Sequence, residues 1–99
     1  MDAYVKRPND VLLVQFDVRD FVAAQVAAGA VEAEILFNLR QEAGVTVAST
    51  MSTPGLVDVT VTGGVVGRVY RLALEAEAFG YGSKVVPMRI RVRDPALFT

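Results

Sequence analysis

The sequence predicts an all-β fold, an antiparallel β-sandwich of six to seven strands with one short helix or helical turn. In most segments apolar and polar residues alternate with a period of two, and clusters of Gly, Pro, Ser and Thr separate these segments. The chain has 99 residues, 53% of them hydrophobic and 21% charged, which is enough for one core. We therefore expect a single domain over residues 1–99, with extended arms at 1–10 and 94–99.

The first two predicted elements are a strand and a helix. Residues 12–18 carry apolar side chains at even positions, as a strand with one buried face does. The alanine-rich segment 19–28 departs from this alternation and has helical spacing instead. Asp17 or Asp20 is available as its N-cap and Gly29 as its C-terminal stop.

Further alternating segments follow the predicted helix. Residues 31–39 place apolar side chains at odd positions, which indicates a half-buried strand. Residues 45–47 and 57–62 continue the alternation with β-branched side chains. The Ser, Thr, Pro and Gly residues of 49–55 predict a turn between them.

The last third of the chain predicts a hairpin. Apolar residues occupy even positions on both sides of a turn at 79–83, so both strands present them to one core. The odd positions carry charges, and Glu75 opposite Arg89 is a plausible cross-strand pair. Pro87 cannot donate to a ladder, so it predicts an edge position or a bulge in the final strand.

A glycine-rich turn precedes this hairpin. Gly63, Gly64 and Gly67 lack the Lys-Ser/Thr that follows in a phosphate-binding loop, so they indicate a tight structural turn. Tyr70 then stands at the start of the penultimate strand, where immunoglobulin-like domains have a tyrosine corner. An ordinary buried tyrosine is the alternative.

Composition excludes most catalytic chemistry. The chain has no Cys and no His, so thiol nucleophiles, Ser-His-Asp triads and the usual zinc, copper and haem ligands are unavailable. The carboxylate pairs Glu32/Glu34 and Glu75/Glu77 are those of solvated strand faces. We therefore expect no enzyme, catalytic residue, metal, cofactor or small-molecule substrate.

The formal net charge of −1 gives no general attraction to nucleic acid or membranes. The N-terminal residues have no signal-peptide core, so we expect synthesis in the cytoplasm.

Several residues are candidates for contacts with other proteins. Arg89, Arg91 and Arg93 form a stripe along the last strand, and arginine favours bidentate protein contacts over diffuse attraction to nucleic acid. Apolar residues outside the predicted core suggest docking surfaces. The full set of candidates is Arg7, Leu13, Leu36, Phe79, Tyr81, Arg89, Arg91, Arg93, Leu97 and Phe98. Pro95 should direct the C-terminal arm away from the domain, so that Leu97 and Phe98 dock on a neighbour.

The order of these features resembles the phage fibre-tail adaptor family of tailed bacteriophages. The resemblance covers nearly the whole chain, and its most specific parts are Pro8–Leu12 and Val61–Tyr70, supported by Arg89–Arg93. It implies a small immunoglobulin-like virion protein that joins the tail or neck to a fibre or neighbouring tail protein. It also implies several copies around the tail axis, with other virion proteins as partners.

Two other functions compete with this one. A carbohydrate- or ligand-binding β-sandwich would use stacking aromatic rings, but the chain has no Trp and only 8% aromatic residues. A small enzyme would have to rest on the paired carboxylates. We therefore expect a structural adaptor, with the binding module as the alternative.

Overall fold

The computed structural model describes residues 3–93 of the chain, which form seven strands, one α-helix and a 3₁₀ turn. The helix α1 is Arg19–Ala27, and the 3₁₀ turn is Glu32–Glu34. The strands are β1 (Ala3–Lys6), β2 (Leu12–Asp17), β3 (Leu36–Gln41), β4 (Val45–Thr53), β5 (Leu56–Gly63), β6 (Val69–Ala78) and β7 (Gly82–Val92).

The strands form two sheets, which confirms the predicted all-β sandwich. One sheet has four strands in the order β1-β7-β6-β3, and the other has three in the order β2-β5-β4. All pairs are antiparallel except β1 with β7, which is parallel. Lys6 pairs with Val92 in that parallel ladder.

The main hydrophobic core lies between the sheets, and a smaller cluster of Val22, Ile35 and Ala78 lies beside α1. The predicted even-position faces of β2, β6 and β7 are buried, and so are alternate residues of β5. Burial of these branched side chains is the main source of stability, at about 25 cal/mol per Å² of apolar surface removed from water. The fully buried large side chains are Val18, Val59, Val61, Leu72, Leu74, Ile90 and Val92.

The helix α1 begins at Arg19, as predicted, but its N-cap residue differs from the prediction. Val18, not Asp17 or Asp20, occupies the N-cap position. Asp17 still contributes, since its Oδ1 accepts the Arg19 backbone N–H at 3.1 Å. At the other end Gly29, with φ +116°, closes a Schellman motif whose next residue donates its N–H to the Gln25 carbonyl. Within residues 3–93, no helix is long and apolar enough to cross a membrane.

Two strand predictions need correction. The strand predicted over 31–39 begins only at Leu36, because residues 32–34 close a 3₁₀ turn. The turn predicted over 49–55 is confined to Pro54 and Gly55, since β4 continues to Thr53. Gly55 has φ +91°, and proline followed by such a glycine is the sequence of a type II turn.

The N-terminal arm predicted over 1–10 also needs correction, since residues 3–6 are strand β1. This strand pairs with β7 only from Arg89 to Val92. Among residues 3–93, Pro87 therefore lies where β7 has β6 as its single neighbour, and its missing N–H interrupts no second ladder there.

Candidate protein interface

The outer face of the four-stranded sheet carries a cluster of arginines. The β6–β7 register places Arg71 directly opposite Arg89 and Val69 opposite Arg91. Arg40 on β3 lies opposite Ala73. All these guanidinium groups are on exposed residues of one surface. We call this surface the arginine face; it comprises Arg40, Arg71, Arg89, Arg91 and Arg93.

This register corrects the predicted ion pair between Glu75 and Arg89. A three-residue turn joins Ala78 to Gly82, and this pairing puts Val85 opposite Glu75. Glu75 instead forms an ion pair with Arg40, with 2.8 Å between Oε1 and Nε.

Only part of the arginine face is neutralised by its neighbours. Besides the Arg40–Glu75 pair, Arg71 contacts the Glu42 carboxylate. This hydrogen bond lowers the pKa of Glu42 and raises that of Arg71. Among residues 3–93, no carboxylate oxygen lies within 4.0 Å of Arg89, Arg91 or Arg93, the predicted stripe. Like charges directly opposite each other weaken a sheet, so the Arg71–Arg89 pair does not serve stability.

A cavity of about 600 Å³ lies on this face. Ala73 and Pro87, opposite each other on β6 and β7, have short side chains. Arg40, Arg71 and Arg89 surround them. Glu42 also lines the cavity and pairs with Arg71, while Arg40 pairs with Glu75, so Arg89 is the bordering arginine without a carboxylate partner among residues 3–93. The result is a shallow apolar depression with an unpaired arginine at its border, which fits an apolar side chain next to a carboxylate.

The opposite end of the sandwich is acidic and apolar. The 3₁₀ turn carries Glu32 and Glu34, and α1 and the β6–β7 turn pack beside it. The Tyr81 hydroxyl donates to the Gly29 carbonyl at 3.1 Å, which joins the β6–β7 turn to the end of α1. We call this surface the helix end; its exposed residues include Val31, Glu32, Glu34, Leu36, Glu77, Phe79 and Tyr81.

Phe79 is the most exposed large apolar side chain at the helix end. It lies in the turn between β6 and β7 and is 87% exposed, while Leu36 nearby is 63% exposed. Glu77 pairs with Leu36 across the β3–β6 ladder, which places a carboxylate next to this apolar patch. The apolar patch at the helix end is therefore bordered by negative charge.

The remaining predicted interface residues lie elsewhere. Leu13 is 73% exposed on the outer face of the three-stranded sheet. Arg7 is exposed just after β1. Leu97 and Phe98 lie outside the described residues. The structure thus brings three of the candidates together on the arginine face and three at the helix end.

Lys6, next to the candidate Arg7, is only 3% exposed. Its Nζ donates to the carbonyls of Arg7 at 2.6 Å and Gly63 at 2.7 Å, which fastens β1 to the end of β5. Burial lowers the pKa of this lysine, and the nearby Asp10 charge opposes that shift. Lys6 is therefore a structural residue.

The glycine-rich turn and the turn between β3 and β4 both pack closely against Tyr70. Tyr70 is 2% exposed, and its hydroxyl accepts the Val65 backbone N–H at 2.8 Å. A Cβ on Gly44 would lie 2.8 Å from the ring, and one on Gly64 would lie 3.2 Å from it. Gly67 faces open space.

The two sheets and their shared core define the class of the protein, an all-β sandwich. The chain belongs to the family described as podophage GP4 fiber-tail adaptor protein gp77, whose model matches residues 6–80. No curated protein and no solved structure matches the chain.

The arginine face depends on residues that the sequence pattern did not single out. Arg40 and Arg71 complete it, although only the stripe on β7 was expected. Their parity along β3 and β6 places them on the outer face, but their position beside Arg89 follows from the hairpin register. The signal that could have identified that register was a three-residue turn over 79–81, followed by Gly82 as the first residue of β7.

Proposed function

We propose that this protein is a non-enzymatic structural component of a tailed-phage virion, an adaptor that joins the tail or neck to fibres or neighbouring tail proteins. The family match over residues 6–80 carries the proposal. Its partners are then other virion proteins, and it is made in the bacterial host cytoplasm before assembly. Several copies surround the tail axis.

The strand order supports an immunoglobulin-like topology within this role. In immunoglobulin domains one sheet holds the third, sixth and seventh strands and the other holds the second, fourth and fifth. The present sheets divide their strands in the same way, with β1 beside β7. The hydroxyl of Tyr70 bonded to upstream backbone adds the feature expected of a tyrosine corner.

The two surfaces described above support binding rather than chemistry. The arginine face offers bidentate donors around an apolar depression, and the helix end offers exposed apolar side chains. Such surfaces bind proteins through charge complementarity and apolar burial. We assign to them the contacts that an adaptor makes with its neighbours.

Deletion of the gene in the phage tests this proposal. We expect particles with filled heads and tails that lack fibres, visible by negative-stain electron microscopy. Supplying the chain from a plasmid should restore the fibres. Fully fibred and infectious particles from the deletion phage would contradict the adaptor role.

The C-terminal segment allows a second experiment. We propose that Leu97 and Phe98 bury against a neighbour, where two such side chains contribute roughly 3–5 kcal/mol before ordering costs. A chain truncated after Arg93 should fold, as judged by circular dichroism, yet fail to restore fibres. Normal complementation, or an unfolded truncated chain, would contradict this docking role.

A further inference from the structure

The charges of this chain are separated along the sandwich. The arginine face lies where β7 ends, and Arg7 and Arg68 are exposed in the adjoining loops. The helix end carries the exposed carboxylates of Asp20, Glu32, Glu34 and Glu77, which outnumber its two exposed cations among residues 3–93, Arg19, paired with Asp17, and Lys84. The net charge of −1 is therefore the sum of a positive region at the arginine face and a negative region at the helix end.

Apolar residues accompany the charges in both regions. On the arginine face, Val5 and Val69 flank Arg91 in one row across three strands, and they are 54% and 41% exposed. At the helix end, Phe79 and Leu36 project beside Glu77. Each region thus has the apolar patch and the charged border that an interface requires.

We propose that copies of this chain associate head to tail, the helix end of one copy docking on the arginine face of the next. Charge complementarity selects this occupant, because Arg89, Arg91 and Arg93 have no carboxylate partner among residues 3–93 and match the acidic border of the helix end. Phe79 is the side chain that enters the depression over Ala73 and Pro87.

The geometry makes this contact repeatable. The two surfaces are different regions of one molecule, so a copy can use both at once. Such a heterologous contact closes into a ring or continues as a chain, whereas a two-fold contact ends at a dimer. In the virion, this contact would join the copies that are proposed to surround the tail axis. Only this placement rests on the proposed function; the association of the purified chain does not.

Sedimentation equilibrium of the purified chain tests the inference. We expect association beyond a dimer in about 0.1 M NaCl that weakens in about 1 M NaCl, because the Debye length falls from about 10 Å to about 3 Å. A chain that stays monomeric at high micromolar concentration in low salt would overturn the inference. Association that strengthens with salt would overturn it too.

Charge reversal identifies the surfaces. Arg89→Glu with Arg91→Glu should raise the apparent Kd at least about tenfold, and Glu32→Lys with Glu34→Lys should do the same. A chain with all four substitutions should associate again, since the signs are exchanged. Failure of this exchange in a chain that folds normally by circular dichroism would overturn the assigned surfaces.

Lys84→Glu is the matched control for Arg89→Glu. The two substitutions change net charge equally, but Lys84 is exposed near the helix end, opposite Ala76. We expect Arg89→Glu to weaken association and Lys84→Glu to leave it intact or strengthen it. Equal weakening by both would indicate general repulsion and overturn the docking contact.

A monomeric wild-type chain that still restored fibres to the deletion phage would refute the inference and leave the adaptor role standing.

Discussion

Tyr70 connects the glycine-rich turn to the core through its hydroxyl and a close contact with Gly64, and its ring also lies against Gly44 between β3 and β4. Its ring is buried, and its hydroxyl accepts the Val65 backbone N–H in a partly buried hydrogen bond. A buried N–H without an acceptor costs free energy, so this bond fixes the path of the turn.

Replacing Tyr70 by phenylalanine removes this acceptor and keeps the ring. We expect the free energy of unfolding to fall by about 1 kcal/mol, measured by urea denaturation. Tyr81→Phe is the control, because its hydroxyl bonds the Gly29 carbonyl on an exposed residue and should matter less. Equal effects of the two substitutions would show that the buried hydroxyl has no special role.

Alanine substitutions at Gly64 and Gly67 distinguish the cost of backbone strain from the cost of a steric clash. Both have positive φ, +102° and +86°, but a Cβ on Gly64 would lie 2.7 Å from Val92 Cγ2, whereas one on Gly67 meets nothing within 4 Å. Gly67→Ala should cost about 1–2 kcal/mol from strain alone. Gly64→Ala should cost roughly 1–3 kcal/mol more, since Val92 is fully buried and cannot yield. Thermal and urea unfolding check this order, and equal losses would contradict it.

At the level of elements, the start of α1 is held by one carboxylate. Asp17 accepts from the Arg19 guanidinium and from its backbone N–H. The side-chain hydrogen bond from Arg19 is the main cause that lowers the pKa of Asp17 from 3.8 to about 2.

This pKa predicts a pH dependence with a definite sign. Because the folded value is the lower one, the carboxylate stabilises the fold above pH 3.8, and this contribution is lost as pH falls through about 2. Between pH 3.8 and about pH 2, the free energy of unfolding should therefore fall less in Asp17→Asn than in the unsubstituted chain. An NMR titration of Asp17 should give a midpoint of about 2, rising towards 3.8 in Arg19→Gln. A wild-type midpoint near 3.8 would contradict the account.

The elements also show how far the sequence pattern reaches. Period-two alternation located β2, β5, β6 and β7, because each buries one face against the other sheet. The same alternation misplaced the start of β3, since backbone bonds such as Glu34 N–H to Val31 C=O close a 3₁₀ turn there. Alternation also contains no information about which strands pair, so the parallel β1–β7 edge was missed.

The candidate interface illustrates the same limit. The outward parity of the arginines on β7 was visible in the sequence, and the structure agrees with it. Their neighbours on β3 and β6 depend on register, which turn geometry fixes. The combination of arginines around a depression thus required the three-dimensional structure.

For the whole molecule, a core shared by both sheets predicts one cooperative unit. All strands except β1 and β3 contribute residues of the main buried cluster, and β3 packs partly buried side chains against it. We expect a single thermal transition with equal calorimetric and van't Hoff enthalpies, unchanged by a metal chelator. Two transitions would show that the sheets unfold separately, and unfolding by the chelator would reveal a structural metal.

The adaptor role concerns the place of this molecule in the particle. Cryo-electron microscopy of the native virion, with the seven-strand sandwich fitted to the density, is the most direct test of it. The account predicts several copies of the sandwich where the tail or neck meets the fibres, and peptides of this chain in purified particles. Mature, fibred virions without this chain would contradict it.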